Sequence, residues 1–242
     1  MAQDVAPNPR RSRRRRRLLM LSIAALALVG VFHRFFFLDN LAVVERGRVY
    51  RSAQLKGRLE STLKSRGIAT VLNLRGGSRA DWWYAQEVDV TRRLGIDFYD
   101  LPLEADERPS RRELAALVDL LDRCRYPLLI HCKSGSDRTG LVSALYRLVE
   151  RGEPPERART SFSVWRGHVP LFGPERLHAP LVEYGAWLAG RRLPHTPDRF
   201  RAWLAADYRS GREALAERLV PERLEPGPRA ELALRAGRRP VR

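Results

Sequence analysis

The run Tyr126-Pro-Leu-Leu-Ile130 leads directly into His131-Cys-Lys-Ser-Gly-Ser-Asp-Arg-Thr-Gly140. The first five residues are short and apolar, as a strand buried on both faces of a parallel sheet must be. A loop over 131–138 follows, and a helix is expected from Thr139 to about Arg151. A loop between a strand end and a helix start turns its backbone N–H groups toward one centre, where the helix N-terminus adds partial positive charge. Such a cradle suits a tetrahedral dianion. At its base Cys132 is stabilised as the thiolate, the form that acts as a nucleophile. Arg138 offers two parallel hydrogen bonds to phosphate oxygens, which a lysine cannot match. Thr139 is placed to hydrogen-bond the sulfur.

The flanking sequence alternates strand and helix. Gly67 to Leu74 reads as a strand closed by Arg75-Gly76-Gly77, and Ile96 to Pro102 as another. Between them Asp81 to Leu94 has helical spacing, with Trp82, Ala85, Val88 and Leu94 on one face. Glu104 to Ser110 is a loop, after which Ser110 and Glu113 make a capping box for a helix carrying Leu114, Leu117, Val118 and Leu121. Two further helical stretches lie near 154–165 and 176–190. The expectation is an α/β fold: a mostly parallel sheet with helices packed on its faces.

With 242 residues, 44% hydrophobic and 30% charged, the chain has material for one catalytic-size domain plus extensions, and wholesale disorder is excluded. The net charge of +17 sits mostly in the tails, +6 over residues 1–17 and +6 over 191–242. A nucleic-acid-binding face on the domain is therefore not expected. The only cysteines, Cys124 and Cys132, exclude a disulfide framework and a multi-thiolate zinc site. An extended strand between them also argues against their pairing.

An arginine-rich tail, 1–17, precedes fifteen uncharged residues, Leu18 to Phe32, and Phe35 to Leu38 resume the apolar character. A helix over 18–38 would be roughly 31 Å long, about the thickness of a bilayer core. The expectation is a transmembrane anchor over 18–38, with the N-terminus cytoplasmic by charge bias and the rest of the chain periplasmic. A domain over 45–190 and a basic helical extension over 191–242 complete the expected organisation.

The segment 131–140 resembles the His-Cys-x5-Arg-Ser/Thr-Gly signature of the cysteine-dependent tyrosine and dual-specificity phosphatases, matching it at His131, Cys132, Gly135, Arg138, Thr139 and Gly140. Gly47 to Gln54 and Thr70 to Arg75 look like the opening of the bacterial dual-specificity branch. The resemblance implies a dual-specificity-phosphatase-like fold and a phosphocysteine mechanism without cofactor or metal. In it Cys132 attacks phosphorus while Arg138 and the phosphate loop, Lys133, Ser134, Gly135, Ser136, Asp137 and Thr139, hold the oxygens. His131 supports the cysteine and lowers its pKa. The implied general acid is a loop aspartate; Asp106 is the choice, with Asp100, Glu104 and Glu107 beside it. Asp137 is expected to face away from phosphate or to pair with an arginine. His168 lies either near the cleft or on the surface. The expected function is a membrane-anchored phosphatase of phosphotyrosine, phosphoserine and phosphothreonine proteins, with phosphorylated lipid or sugar headgroups as the alternative substrates; the expected partners are a phosphorylated protein or phospholipid substrate and the membrane through 18–38, and a non-catalytic phosphate-binding module is the alternative of a different class.

Overall fold

The computed structural model of the chain describes residues 16–23, 25–27, 29–30, 39–169 and 173–210. Residues 39–242 form one unit and residues 1–38 another. The sheet has five strands: β1 (Ala42–Glu45), β2 (Val49–Ser52), β3 (Thr70–Asn73), β4 (Asp97–Asp100) and β5 (Leu128–His131). Their order is β1-β2-β5-β3-β4, with β1 antiparallel to β2 and every other pair parallel. The helices are α1 (Leu59–Ser65), α2 (Trp82–Arg93), α3 (Arg111–Arg123), α4 (Asp137–Val149), α5 (Pro155–Ala158), α6 (Ala179–Arg191) and α7 (Pro197–Ala206).

Alternation along the central strands decides the layering. Val49, Leu72, Leu128 and Ile130 join one core with Leu114, Leu117 and Leu121 of α3, Leu141 and Leu145 of α4, Tyr184 of α6 and Phe200 of α7. Tyr50, Val71 and Leu129, one residue out of step, join the other core with Leu59 and Leu63 of α1 and Val90 of α2. Successive side chains on a strand point to opposite faces, so both faces of these apolar strands are covered. The α/β sheet-and-helix expectation is met. The capping box at α3 is formed: Ser110 Oγ accepts from the Glu113 amide at 3.1 Å and Glu113 Oε2 accepts from the Ser110 amide at 2.7 Å.

Three readings change. Strands β1 and β2 and helix α1 had no counterpart in the sequence pattern; β2, Val49–Ser52, carries Arg51 and Ser52 among its buried residues and so lacks the apolar run that marked β5. The helix expected near 154–165 is one turn, α5, followed by 3-10 turns at Arg159–Ser161 and Val164–Arg166. There the Ser161 carbonyl is taken by Arg51 Nη1 at 2.8 Å. On α2 the buried residues are Glu87, Val90 and Thr91, while Trp82 is 64% exposed. Helix α7 places Phe200, Trp203 and Leu204 in the main core, with Tyr208 just after it; residues 211–242 lie outside the described residues.

The transmembrane expectation is corrected. Among the described residues no helix is long and apolar enough to cross a membrane. Helical residues of the apolar run fall within 16–30, and 31–38 lie outside the described residues. Membrane anchoring, the membrane as a partner, and a single-pass topology with a periplasmic domain rested on that span and fall with it.

Candidate active site

Register brings four polar residues into one row at the carboxyl ends of the parallel strands. Ser52 of β2 is level with His131 of β5, His131 with Asn73 of β3, and Asn73 with Asp100 of β4. Open α/β sheets bind ligands at this edge. Chain 132–136 leaves the row from β5 and enters α4 at Asp137.

The loop is shaped by what holds its back. Asn40 Nδ2 donates to the carbonyls of Ser134 at 3.0 Å and Gly135 at 3.1 Å, and also to Arg166 O at 3.0 Å. Arg51 Nη2 donates to Gly135 O at 2.9 Å and Ser136 O at 3.1 Å. In a trans peptide the carbonyl of one residue points opposite to the N–H of the next. Tying back the carbonyls of 134, 135 and 136 therefore turns the amides of Gly135, Ser136 and Asp137 the other way, and the first of these donates to Cys132 Sγ at 3.3 Å. Gly135 has φ +68, and a Cβ there would lie 2.5 Å from the backbone of Ser52 and Ala53, so only glycine fits. Arg51 is 2% exposed, a buried cation whose two Nη atoms donate to carbonyls.

Cys132 is buried, which by itself pushes its thiol pKa up. The Arg138 charge, the adjacent Thr139 and the hydrogen bond from the Gly135 amide act against burial and prevail, holding the thiol below its ordinary range. Arg138 is anchored by Nη1, which donates to Leu74 O at 3.2 Å and Leu103 O at 3.1 Å. His131 lies behind the cysteine with Nε2 3.0 Å from Glu87 Oε1, both side chains 1% exposed, and Glu87 Oε2 accepts from Gln54 Nε2 at 3.0 Å. Burial lowers the His131 pKa, but the Glu87 carboxylate and then the Cys132 thiolate outweigh it, and the net shift is upward. The result is a buried row of alternating charge from Glu87 through His131 to Cys132.

Of the remaining loop residues, Lys133 is exposed, Ser134 half-buried, and Ser136 and Thr139 buried. Asp137 pairs with His168 Nδ1 at 2.7 Å, so its partner is a histidine and not an arginine. His168 is 5% exposed and stacks near Phe162, which itself rests on Gly140 where a Cβ would come within 3.0 Å. Asp106 is exposed in the loop that begins at Leu103, the anchor of Arg138, and its carbonyl accepts from Arg176 Nη1 at 3.2 Å. Asp100 accepts from the Tyr84 hydroxyl at 3.0 Å, and burial together with that carboxylate pushes Tyr84 up to about 12. Among the described residues no His, Cys, Asp or Glu cluster is arranged to hold a metal.

Asn40, Arg51 and Glu87 were not singled out in the sequence. Arg51 carried a signal, a charge inside the short stretch Val49–Ser52; Glu87 carried none, since a glutamate on a helix is ordinarily solvated.

Comparison with known proteins agrees with this geometry. The profile of the family described as "DSP-PTPase phosphatase fused to NAD+ Kinase" matches residues 37–168, more than half of the chain. The chain belongs to this family. A curated member of the wider superfamily, the dual specificity protein phosphatase TpbA of Pseudomonas aeruginosa, is 32% identical over 106 residues, 43% of this chain and 44% of the relative. The chain thus spans less than half the length of the curated relatives it matches. Among solved structures, the core catalytic domain of SIW14 from S. cerevisiae superposes with a TM-score of 0.49 at 15% identity, over 64% of this chain and 93% of that one. The crystal structure of P. aeruginosa TpbA gives 0.39 at 23%, over 60% and 91%. Membership of this family places the chain in the cysteine-based tyrosine and dual-specificity-like phosphatase superfamily.

Proposed function

We propose that the chain is a cysteine-dependent phosphomonoesterase acting on phosphorylated side chains of proteins. The observation that carries this reading is the thiol of Cys132, depressed by Arg138 and seated below inward-turned loop amides. The name of the 32% identical relative, a dual specificity protein phosphatase, favours proteins as substrates.

In this reading the Cys132 thiolate attacks phosphorus, and an S–P bond forms as the P–O bond to the leaving group breaks. Arg138 and the amides from Gly135 to Asp137 hold the three equatorial oxygens, charge that grows in the transition state and is met by fixed donors. Lys133 and the Ser134 and Ser136 side chains border the same loop, and Thr139 hydrogen-bonds the sulfur in both its attacking and leaving roles. Asp106 protonates the departing oxygen and then removes a proton from the water that cleaves the S–P bond, releasing phosphate and restoring the thiolate. The passage of this loop from Leu103, beside Arg138, supports an acid drawn from it, with Glu104 and Glu107 on the same loop. Asp100 is engaged by Tyr84 and serves the framework. Asp137, held by His168, fixes the helix start and takes no part in proton transfer.

The test is phosphate release from phosphotyrosine and phosphoserine peptides by the full chain without added metal, with Cys132→Ser as the blank. Release equal in the two proteins overturns the reading.

A further inference from the structure

Arg75 leaves β3 immediately after Leu74, whose carbonyl anchors Arg138 Nη1 at 3.2 Å. Its guanidinium carbon lies 3.5 Å from the centroid of the Trp83 ring. Arg58, Arg93, Arg125 and Arg147 each close on a carboxylate. Among the described residues, no carboxylate lies within 4.0 Å of Arg75. A guanidinium on an aromatic face keeps its full charge and its in-plane donors available for an anion.

The platform under it is constrained. At Gly77, φ +149, an added Cβ would come within 2.5 Å of Tyr84 and 2.6 Å of Trp83, so the loop after Arg75 closes tightly over the start of α2. Tyr84 is tied in turn to Asp100 at the sheet edge. Arg75 also senses the cradle. Burial lowers its pKa and the Arg138 charge adds to that, while Asp81 and the Cys132 thiolate act in the opposite direction.

Two like charges beside one cradle repel unless anionic charge is placed between them. One phosphoryl group is already matched by Arg138 and the loop amides. We propose that Arg75, laid on Trp83, receives a second phosphoryl group of the substrate, so that the site prefers esters carrying a neighbouring phosphate. This rests on the reading of Cys132 to Arg138 as the phosphate site and adds a subsite to it.

Competition by inorganic phosphate and inorganic pyrophosphate against p-nitrophenyl phosphate turnover by the full chain tests it, with Cys132→Ser as the blank. One charge-assisted contact predicts a pyrophosphate Ki below the phosphate Ki by about tenfold or more. Arg75→Gln is expected to bring the two Ki values within about threefold of each other, and Arg75→Lys to keep part of the gap. Equal Ki values in the unaltered chain, or an undiminished ratio in Arg75→Gln, overturn the subsite alone. Turnover that survives in Cys132→Ser overturns the phosphatase reading beneath it.

Discussion

His131 Nε2 stands 3.0 Å from Glu87 Oε1, with both side chains 1% exposed. A buried ion pair is stable only when each charge has its partner. Here the imidazolium has two, the carboxylate behind it and the thiolate in front. The raised His131 pKa contributes stability that is fully present below the unfolded histidine value and is lost as pH rises through the folded one. The lowered Cys132 pKa contributes stability present above the unfolded thiol value and lost as pH falls through the folded one. Glu87→Gln keeps the shape and removes the charge. We expect it to move the Cys132 alkylation profile toward higher pH by about one unit, equivalent to ~1.4 kcal/mol. A profile that stays in place while only the melting temperature drops would show that Glu87 merely packs.

Cys124 and Cys132 are both buried free thiols with opposite shifts. Burial pushes Cys124 up to about 11, whereas Cys132 is held low by Arg138 against its own burial. Iodoacetate near pH 6.5 should therefore modify Cys132 and spare Cys124, as read by peptide mass mapping. Equal labelling would count against a thiolate at position 132.

Gly135→Ala places a Cβ 2.5 Å from the backbone of Ser52 and Ala53 at a positive φ. Backbone cannot move aside as a side-chain tip can, so the loop must shift. The expected cost is about 1–3 kcal/mol of stability and a loss of turnover on the order of a hundredfold, since a misplacement of ~1 Å has that effect. Urea unfolding and steady-state rates check the two parts separately.

Arg51→Met removes the donors that hold back the carbonyls of Gly135, Ser136 and Ser161. Gly135 O keeps Asn40 as a donor, so the Ser136 and Ser161 carbonyls are the acceptors that lose their side-chain partner, at about 1–3 kcal/mol each. The expected result is a lower melting temperature together with weaker inorganic phosphate binding, because the loop amides lose their common aim. Phosphate affinity equal to that of the unaltered chain would separate Arg51 from the cradle.

Asp106→Asn should slow turnover of phosphotyrosine peptides, whose leaving group needs a proton, by about 10²–10⁴-fold. An ester with a far more acidic leaving alcohol should lose much less. If both fall alike, or neither falls, the acid is another group, and Glu104→Gln and Glu107→Gln, on the same loop, become the next variants to measure.

The parallel sheet and the cradle were legible because their signals are local. Leu128 to Ile130, then Cys132, Gly135 and Arg138 at fixed spacing, specify a strand, a turn that only glycine can make, and a helix start. The capping box of Ser110 and Glu113 likewise lies within one turn of chain. Hydropathy also suggested a membrane span over 18–38, but apolar composition reports only a preference for leaving water. Span length depends on how far the helix runs, and among the described residues no helix runs far enough.

Tertiary structure alone decided how the cradle is held and charged. Asn40 reaches Ser134 across 94 residues, Arg51 reaches Gly135 across 84, and Gln54 reaches Glu87 across 33. Nothing in a local pattern marks such pairs, since each residue taken singly is an ordinary polar side chain. Their roles arise when parallel pairing brings the ends of β2, β5, β3 and β4 into one row and burial leaves each polar group only its neighbours as partners. The sequence by itself determined where the strand–loop–helix cradle lies; the packing determined the direction of the thiol's pKa shift and the way its loop faces, because both depend on groups that are distant along the chain and adjacent only in the fold.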